Sequence, residues 1–474
     1  MTDETPRRWE RMATSAMPKV SLFAGIRYDP ARVGDVGSLL ADAADWRPAA
    51  RRPTGEPAQL GGGPGTDTNE ARPHASRLFS DWAGTVVSDW LARGLLVRDE
   101  SPTLYLYEAR RPVPEDRRHG PGVPETASYR AVVAALGVGD PAPPKRVETI
   151  DPAAVEPMVP VMKAFAVDVA PVWGLFAKAA TGARRARLDE ILAGTVEQGE
   201  PVLAIEAADG TSHRLWRMQV DAARELADIL SQVPVAVVQG ALQVEALRRL
   251  AAQSSDGQVN GTPPSVLAFL TPCDSPADAG ETPAILPVHR LLLSSSRLDA
   301  ASVEQRLAAC FRLLDVGSQA ESLTPLERVD AALAQLGKAR DEFTGFVLYL
   351  GGGRVKVARS KGRMLMENWT HPLGRATWRA MDVNVLHALG FERALGIGPE
   401  LSRLHAPPLD VETSVAGAIE RVDRGEAVAA FLLPPPSPQQ LLTVALDNNP
   451  IPADSVRPWP PIPAGLILRW RRPS

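Results

Sequence analysis

The stretch "VPVAVVQGALQVEALRRL", residues 233–250, largely decides how the fold is interpreted. Its first half is an unbroken apolar run that predicts a buried strand, and its second half repeats apolar residues at helical spacing. Gly240 between the halves predicts a tight turn. A helix that begins at such a turn presents free N–H groups and a partial positive charge, and commonly binds phosphate. No side chain beside this glycine is charged or could act as a nucleophile or metal ligand: the turn carries Gln239, Ala241, Leu242 and Gln243.

The composition is that of an ordinary globular protein, with 45% hydrophobic and 23% charged residues in a chain of 474. The formal net charge of −4 argues against a nucleic-acid-binding protein, which usually has a basic face. No apolar run reaches the roughly 18 residues of a membrane span, and no signal peptide is recognised. Cys273 and Cys310 match no metal-binding spacing and fit a reducing compartment. We therefore expect a cytoplasmic protein without a membrane segment, a metal site or a nucleic-acid partner.

Strand and helix patterns are mixed along the chain, which predicts an α+β fold with a mixed sheet, hairpins and packed helices. An Asp-Gly turn at 209–210 and a glycine turn at 351–353 predict the two hairpins. Residues 1–17 are predicted to be a disordered tail. Residues 18–470 are predicted to be one unit, and a division into lobes 18–300 and 301–470 is the alternative.

Several elements are predicted with particular bounds. They are helices around 127–136, over 153–180 and within 302–314, a loop over 252–284, and one strand over 284–294. A further amphipathic helix is predicted from the spacing of Leu78, Trp82, Val86 and Trp90.

Three histidines mark candidate sites outside the turn. His213 and Arg214 follow the Asp-Gly turn, where a plain hairpin is favoured and the two side chains point to opposite faces. His289 and Arg290 lie inside a strand, and a partly buried His beside an exposed Arg is favoured over an anion site. His387 lies five residues after Asp382 in a helix, where a capping Asp and an interfacial His are favoured over catalysis.

The order and spacing of several segments resemble a known family, the bacterial and archaeal domain-of-unknown-function family one-thousand-and-fifteen. The resemblance spans about 18–470. It is carried by "ASRLFSDWAGTVVSDWLARGLLVRDESPTLYLYE", "HRLWRMQVD", "ILPVHRLLL", "MDVNVLHALGFERALGI" and "GEAVAAFLLPPPSPQQLLTVA". It implies a core similar to that of ParB/sulfiredoxin-like proteins. It also implies a nucleotide-binding enzyme, such as a kinase of a serine-like hydroxy metabolite that uses ATP or ADP with magnesium.

The chain departs from the family at its most telling motif, an Asp-Gly-His-His-Arg sequence between a strand and a helix. Only Gly240 is retained, because the other four positions are occupied by Gln239, Ala241, Leu242 and Gln243. A second family motif has no match in "LLADAADWRPAARRP", residues 39–53. A third is reduced in "IPADSVRPWPPIPAGL", residues 451–466, to Pro452, Ser455 and Gly465.

Two functions remain open from these observations. The first is a non-catalytic or regulatory member that keeps the fold, needs no cofactor, and acts on an unknown protein partner or small molecule. The second is the nucleotide-dependent kinase that the family resemblance implies. For either, the residues that would mark the site are Gly240, Gln239, Gln243, His289 and Arg290.

Overall fold

A computed structural model was analysed, and only part of the chain is described. The described ranges are 17–43, 85–118, 124–139, 141–164, 167–259, 261–276, 279–316, 323–339, 343–361, 376–398 and 408–471. The predicted tail therefore lies outside the described residues except for its last residue, Met17. Leu78 and Trp82 also lie outside them, and the predicted helix is described only from Thr85 to Ala92.

Helices and strands are mixed along the described chain. The helices are α1 (Pro30–Val33), α2 (Thr85–Ala92), α3 (Pro152–Val155), α4 (Met158–Ala164), α5 (Arg185–Glu197), α6 (Val220–Leu230), α7 (Ala241–Ala252), α8 (Ala300–Leu307), α9 (Pro325–Lys338), α10 (Ala376–Arg379), α11 (Asp382–Val385, continued by a π-helical segment, Leu386–Leu395), α12 (Val415–Asp423) and α13 (Pro438–Leu446).

The strands are β1 (Val20–Ser21), β2 (Gly25–Tyr28), β3 (Ala41–Asp42), β4 (Leu96–Arg98), β5 (Tyr105–Pro112), β6 (Thr126–Gly137), β7 (Lys145–Arg146), β8 (Val167–Asp168), β9 (Val172–Phe176), β10 (Leu203–Glu206), β11 (Ser212–Arg217), β12 (Ala236–Gln239), β13 (Ser265–Pro272), β14 (Ala284–Leu286), β15 (His289–Leu293), β16 (Phe311–Asp315), β17 (Gly345–Tyr349), β18 (Val355–Ser360), β19 (Leu409–Glu412), β20 (Ala427–Leu432), β21 (Arg457–Trp459), β22 (Pro463–Ala464) and β23 (Leu468–Trp470).

The larger sheet is mixed, which confirms the predicted α+β fold. Its strands run in the order β10-β11-β5-β6-β13-β9-β12-β7, and β1 adds to β6. Most neighbours are antiparallel, whereas β13 pairs with β9, and β12 with β7, in parallel. The hairpin predicted at the Asp-Gly turn is β10–β11.

Both faces of the larger sheet are buried, and this overturns the helix predicted around 127–136. That segment is β6, in which Tyr129, Ala131 and Val133 join one apolar cluster. Val132, Ala134 and Leu136 join the cluster on the opposite face. A strand buried on both faces shows no polar alternation, so its Ala-rich run imitates a helix.

A smaller antiparallel sheet is formed by later strands in the order β16-β18-β17-β20-β15-β19. It contains the second predicted hairpin, β17–β18. Helices α9 and α12 contribute Leu333 and Ala418 to the cluster on one face. On the other face Phe346 and Phe431 belong to the same cluster as Trp173 of the larger sheet. One apolar core therefore contains side chains from both sheets.

Four further predicted elements were wrong in part. The loop predicted over 252–284 contains β13, which lies between β6 and β9. The helix predicted over 153–180 is two short helices followed by β8 and β9. The strand predicted over 284–294 is interrupted after Leu286, since β14 pairs with β21 and β15 joins the smaller sheet. The helix predicted within 302–314 ends at Leu307 and is followed by β16.

Candidate functional site

The predicted strand, turn and helix at residues 233–250 are confirmed. Strand β12 ends at Gln239, Gly240 has a φ of +86°, and α7 begins at Ala241. A Cβ atom at position 240 would lie 2.6 Å from Cγ1 of Val172. Glycine is therefore required at position 240 for two reasons: the backbone is left-handed there, and β9 approaches closely.

The side chains around this turn are neutral. Ala241 and Leu242 are partly buried and pack against the apolar cluster beneath α7. Gln243 is buried, and its Oε1 lies 3.0 Å from the Cβ position of Gly240. The Gln239 amide has no hydrogen-bond partner among the described residues. The N-cap glycine supplies no side-chain acceptor, so the positive end of α7 is left without a compensating group.

Glu148 connects the region of this turn to the C-terminal segment. It follows β7, the parallel neighbour of β12. Its carboxylate accepts backbone N–H groups from Asp454, Ser455 and Val456 at 3.1, 2.8 and 2.9 Å. Burial and, to a smaller extent, the nearby Asp454 charge raise the pKa of Glu148 to about 7, against the opposing effect of the Ser455 N–H group.

Arg290 is fully buried rather than exposed, which corrects the sequence prediction. Its Nη2 donates to Oγ of Ser455 at 2.8 Å, and its Nε donates to Nε2 of His387 at 3.2 Å. Its remaining bonds are to main-chain carbonyls. Burial lowers the pKa of Arg290 to about 10, so the guanidinium is still charged at neutral pH.

The other candidate histidines have structural partners. His289 is fully buried, where the sequence predicted partial burial, and its Nδ1 accepts the Leu433 N–H at 3.2 Å. His213 is buried and Nδ1 lies 2.7 Å from the Tyr107 hydroxyl, whereas Arg214 is exposed on the opposite face, which confirms the predicted hairpin. Asp382 does not cap its helix through its side chain but accepts the Gly345 N–H at 2.8 Å.

The five predicted site residues form two groups. Gln239, Gly240 and Gln243 lie in one turn beside the larger sheet, whereas His289 and Arg290 lie side by side in β15. The connection between the groups runs through Glu148 and Ser455. Ser455 was recognised in the sequence through the reduced third motif, but Glu148 was missed. No sequence pattern identifies Glu148, because its role depends on the C-terminal loop whose N–H groups it accepts.

A small cavity lies beside this network. Its lining includes Asp382, Gln440 and Ser455, and its volume is about 20 Å³. A water molecule needs roughly 10–15 Å³ of such volume, so the cavity has room for about one.

Comparison of the chain with models of protein families identifies the family to which the chain belongs. The family model described as "Protein of unknown function (DUF1015)" matches residues 65–384. The chain belongs to this family. The DUF1015 match includes the Gly240 turn and Arg290, and it ends at Asn384, before the C-terminal segment that contains Ser455.

Solved structures with some likeness to this DUF1015 protein were also found, whereas no curated protein matches it. A conserved hypothetical protein from Pyrococcus furiosus is 11% identical, with a TM-score of 0.31 over 69% of this chain and 89% of that chain. A free serine kinase in complex with AMP is 12% identical, with a TM-score of 0.34 over 69% of this chain and 86% of that chain.

Metal-binding and membrane-spanning features were searched for in the described part of the DUF1015 chain. No group of three or more His, Cys, Asp or Glu side chains there could hold a metal ion. Each helix described is too short or too polar to cross a bilayer. Cys273 and Cys310 are free and buried, as packing thiols would be.

Proposed function

We propose that this DUF1015 protein is a regulatory, non-catalytic member that acts through a protein partner or a small molecule. The observation that carries the proposal is the neutral first turn of α7. Ala241 and Leu242 pack into the core there, and Gln243 folds back on Gly240. No acid, base or cation of this turn is available to a phosphoryl group.

Electrostatics supports the proposal. A nucleotide di- or triphosphate carries several negative charges, and kinases meet them with Lys, Arg and metal ions. A helix N-terminus supplies only about half a positive charge. The turn at Gly240 would therefore, by itself, bind a polyphosphate weakly.

The second group of predicted site residues supports the same proposal. The donors of Arg290 are directed to Ser455, His387 and main-chain carbonyls, and the adjacent cavity has room for about one water molecule. In this proposal Arg290 and His289 hold the C-terminal segment in place and do not bind a ligand.

The test is an assay of phosphoryl transfer and nucleotide binding by the full chain. The protein is incubated with serine and Mg-ATP or Mg-ADP, and phosphoserine is followed by ³¹P NMR. Calorimetric titration with ATP, ADP and CTP, each with magnesium, measures binding in parallel. We expect no phosphoserine, and no saturable nucleotide binding at the Gly240 turn.

A restored variant serves as the positive control. It combines Gln239→Asp, Ala241→His, Leu242→His and Gln243→Arg, which returns the family motif around Gly240. We expect this variant to bind Mg-nucleotide more tightly than the wild type, because charge is returned to the turn. Circular dichroism establishes whether the restored variant is folded.

The kinase alternative has a distinct outcome. Ala241→Glu places a negative charge in the first helical turn without the steric contact with Val172 that a substitution of Gly240 would create. If the wild type forms phosphoserine and Ala241→Glu does not, the non-catalytic proposal is wrong. The protein would then be a nucleotide-dependent kinase of a small hydroxy metabolite.

A further inference from the structure

A second cavity lies on the flank of α7 and has a volume of about 410 Å³. It is bordered by α7, by the chain around β7, and by the end of α13 and the residues that follow it. This volume lies within the range of ligand sites, roughly 300–1,000 Å³. Three cations line it: Lys145 and Arg146 of β7, and Arg248 of α7.

The charge of this cavity is unbalanced. Glu245 is the acidic residue of the lining, and it already pairs with Arg248 and Arg249 at 3.3 and 3.5 Å. Neither Lys145 nor Arg146 forms an ion pair with any residue that the structure describes. Lys145 is half-buried and Arg146 is exposed, so both charges are available to a ligand at the cavity mouth.

The remaining wall is apolar except for Asn448, which adds one neutral polar side chain. Ile150, Val237 and Val244 line the cavity together with three prolines and two alanines. Ala241 brings the first turn of α7 into the wall, and the N-cap Gly240 leaves the N–H groups of that turn without a side-chain acceptor. An apolar wall with cations at one side suits a compact organic molecule that bears one anionic group.

We propose that this cavity binds a small organic anion, a single carboxylate or phosphate group on a compact apolar body. The inference rests on the proposed function, because it gives the non-catalytic protein a ligand class. Lys145 and Arg146 attract and orient the anionic group, while Val237, Val244 and Ile150 take the apolar part.

The test is calorimetric titration of the full chain at low ionic strength with three probes of similar shape. Phenyl phosphate and benzoate carry the two candidate anionic groups, and benzamide is the neutral comparison. We expect at least one of the two anions to bind, benzamide not to bind, and the affinity to fall as salt is added. The preference between the two anions identifies the group.

Charge variants locate the binding. Lys145→Gln with Arg146→Gln should weaken binding by about tenfold or more. Arg185→Gln with Lys338→Gln is the matched control, because it removes the same charge from exposed residues that do not line the cavity. Glu245→Gln should tighten binding severalfold, because it removes the acidic group of the lining.

Two outcomes would overturn the inference. One is that neither anion binds at millimolar concentration. The other is that the cavity pair of substitutions weakens binding no more than the control pair does. Both are distinct from failure of the proposed function, because phosphoserine formation would refute the non-catalytic proposal without changing how these probes respond to Lys145 and Arg146.

Discussion

At the scale of single residues, Arg290 is the candidate site residue whose environment depends most on the tertiary structure. Its three nitrogens all donate hydrogen bonds inside the protein, to Ser455, to His387 and to carbonyls. A buried charge is tolerated only when its hydrogen-bonding groups are satisfied in this way. The dipeptide His289-Arg290 was predicted to have an exposed Arg, because sequence cannot show that a distant loop covers the strand.

Replacing Arg290 by Met should destabilise the protein by about 3 kcal/mol, because Ser455 and His387 lose a buried donor and Glu148 loses a nearby positive charge. Urea unfolding followed by circular dichroism measures the change. Arg110→Met, at an exposed position of β5, is the control and should change the free energy of unfolding by less than about 0.5 kcal/mol. Equal effects of the two substitutions would contradict this role for Arg290.

Glu148 should give the protein an unusual pH dependence. Its pKa in the folded protein is about 7, against 4.5 as its ordinary value, so the folded protein binds a proton that the unfolded chain has lost. The contribution of Glu148 to stability is therefore complete below about pH 4.5 and is lost as the pH rises to about 7.

This pH dependence is measured by urea unfolding of the wild type and Glu148→Gln between pH 4.5 and 8. Glu148→Gln cannot titrate, so its stability relative to the wild type should rise across that window and then level off. Glu200→Gln, at an exposed position, should show a constant difference. A constant difference for Glu148→Gln as well would show that its pKa is not raised.

At the scale of elements, the unit from β12 through Gly240 to α7 is defined by its local sequence. A short apolar run, one glycine and a helical repeat are each local signals, and they agree on the same boundaries. The packing of the turn was not foreseen, because Val172, which contacts Gly240, lies 68 positions earlier in the chain.

Gly240→Ala should cost about 2–4 kcal/mol, from a left-handed Ala and from the contact with Val172. Gly257→Ala is the matched control, because Gly257 has a φ of +68° but no atom within 4 Å of its Cβ position. It should cost only about 1–2 kcal/mol. Thermal and urea unfolding give both values, and equal losses would show that the contact with Val172 is unimportant. When Val172→Ala is added, part of the lost stability should be recovered in Gly240→Ala but not in Gly257→Ala.

Two of the elements that were predicted wrongly share a physical cause. Strands β6 and β13 are neighbours near the middle of the larger sheet and are buried on both faces. Such strands lack the alternation of polar and apolar residues that identifies a strand locally. Their conformation is selected by pairing with each other and with β5 and β9, which no window of local sequence contains.

At the scale of the whole molecule, a strand near the C-terminus pairs with a strand near the N-terminus. Strand β23 lies between β2 and β8. Beside it, the buried carboxylate of Asp168 is 2.7 Å from Arg469 and 3.0 Å from Arg471, and it also accepts the Leu267 N–H. This cluster joins β8, β13 and the C-terminal strand.

Asp168→Asn should destabilise the protein by at least about 3 kcal/mol, because it leaves two buried guanidinium groups without their counter-ion. Asp221→Asn is the control: Asp221 pairs with Arg224 but its side chain is 98% exposed, so the cost should be about 0.5 kcal/mol or less. Urea midpoints of both variants test this. A small loss in Asp168→Asn would mean that the cluster contributes little to holding the C-terminal strand.

The sequence by itself determined the α+β class, the two hairpins, the strand-turn-helix at Gly240 and the family, because each depends on local periodicity or on the order of segments. It also showed that the turn at Gly240 carries no charged side chain. Only the tertiary structure decided that β6 is a strand, that Arg290 is buried against Ser455, and that Glu148 holds the C-terminal loop. It also placed Lys145 and Arg146 beside Arg248 at one cavity. These features are contacts between residues far apart in the chain, and they exist only once the sheets have paired and the core has closed.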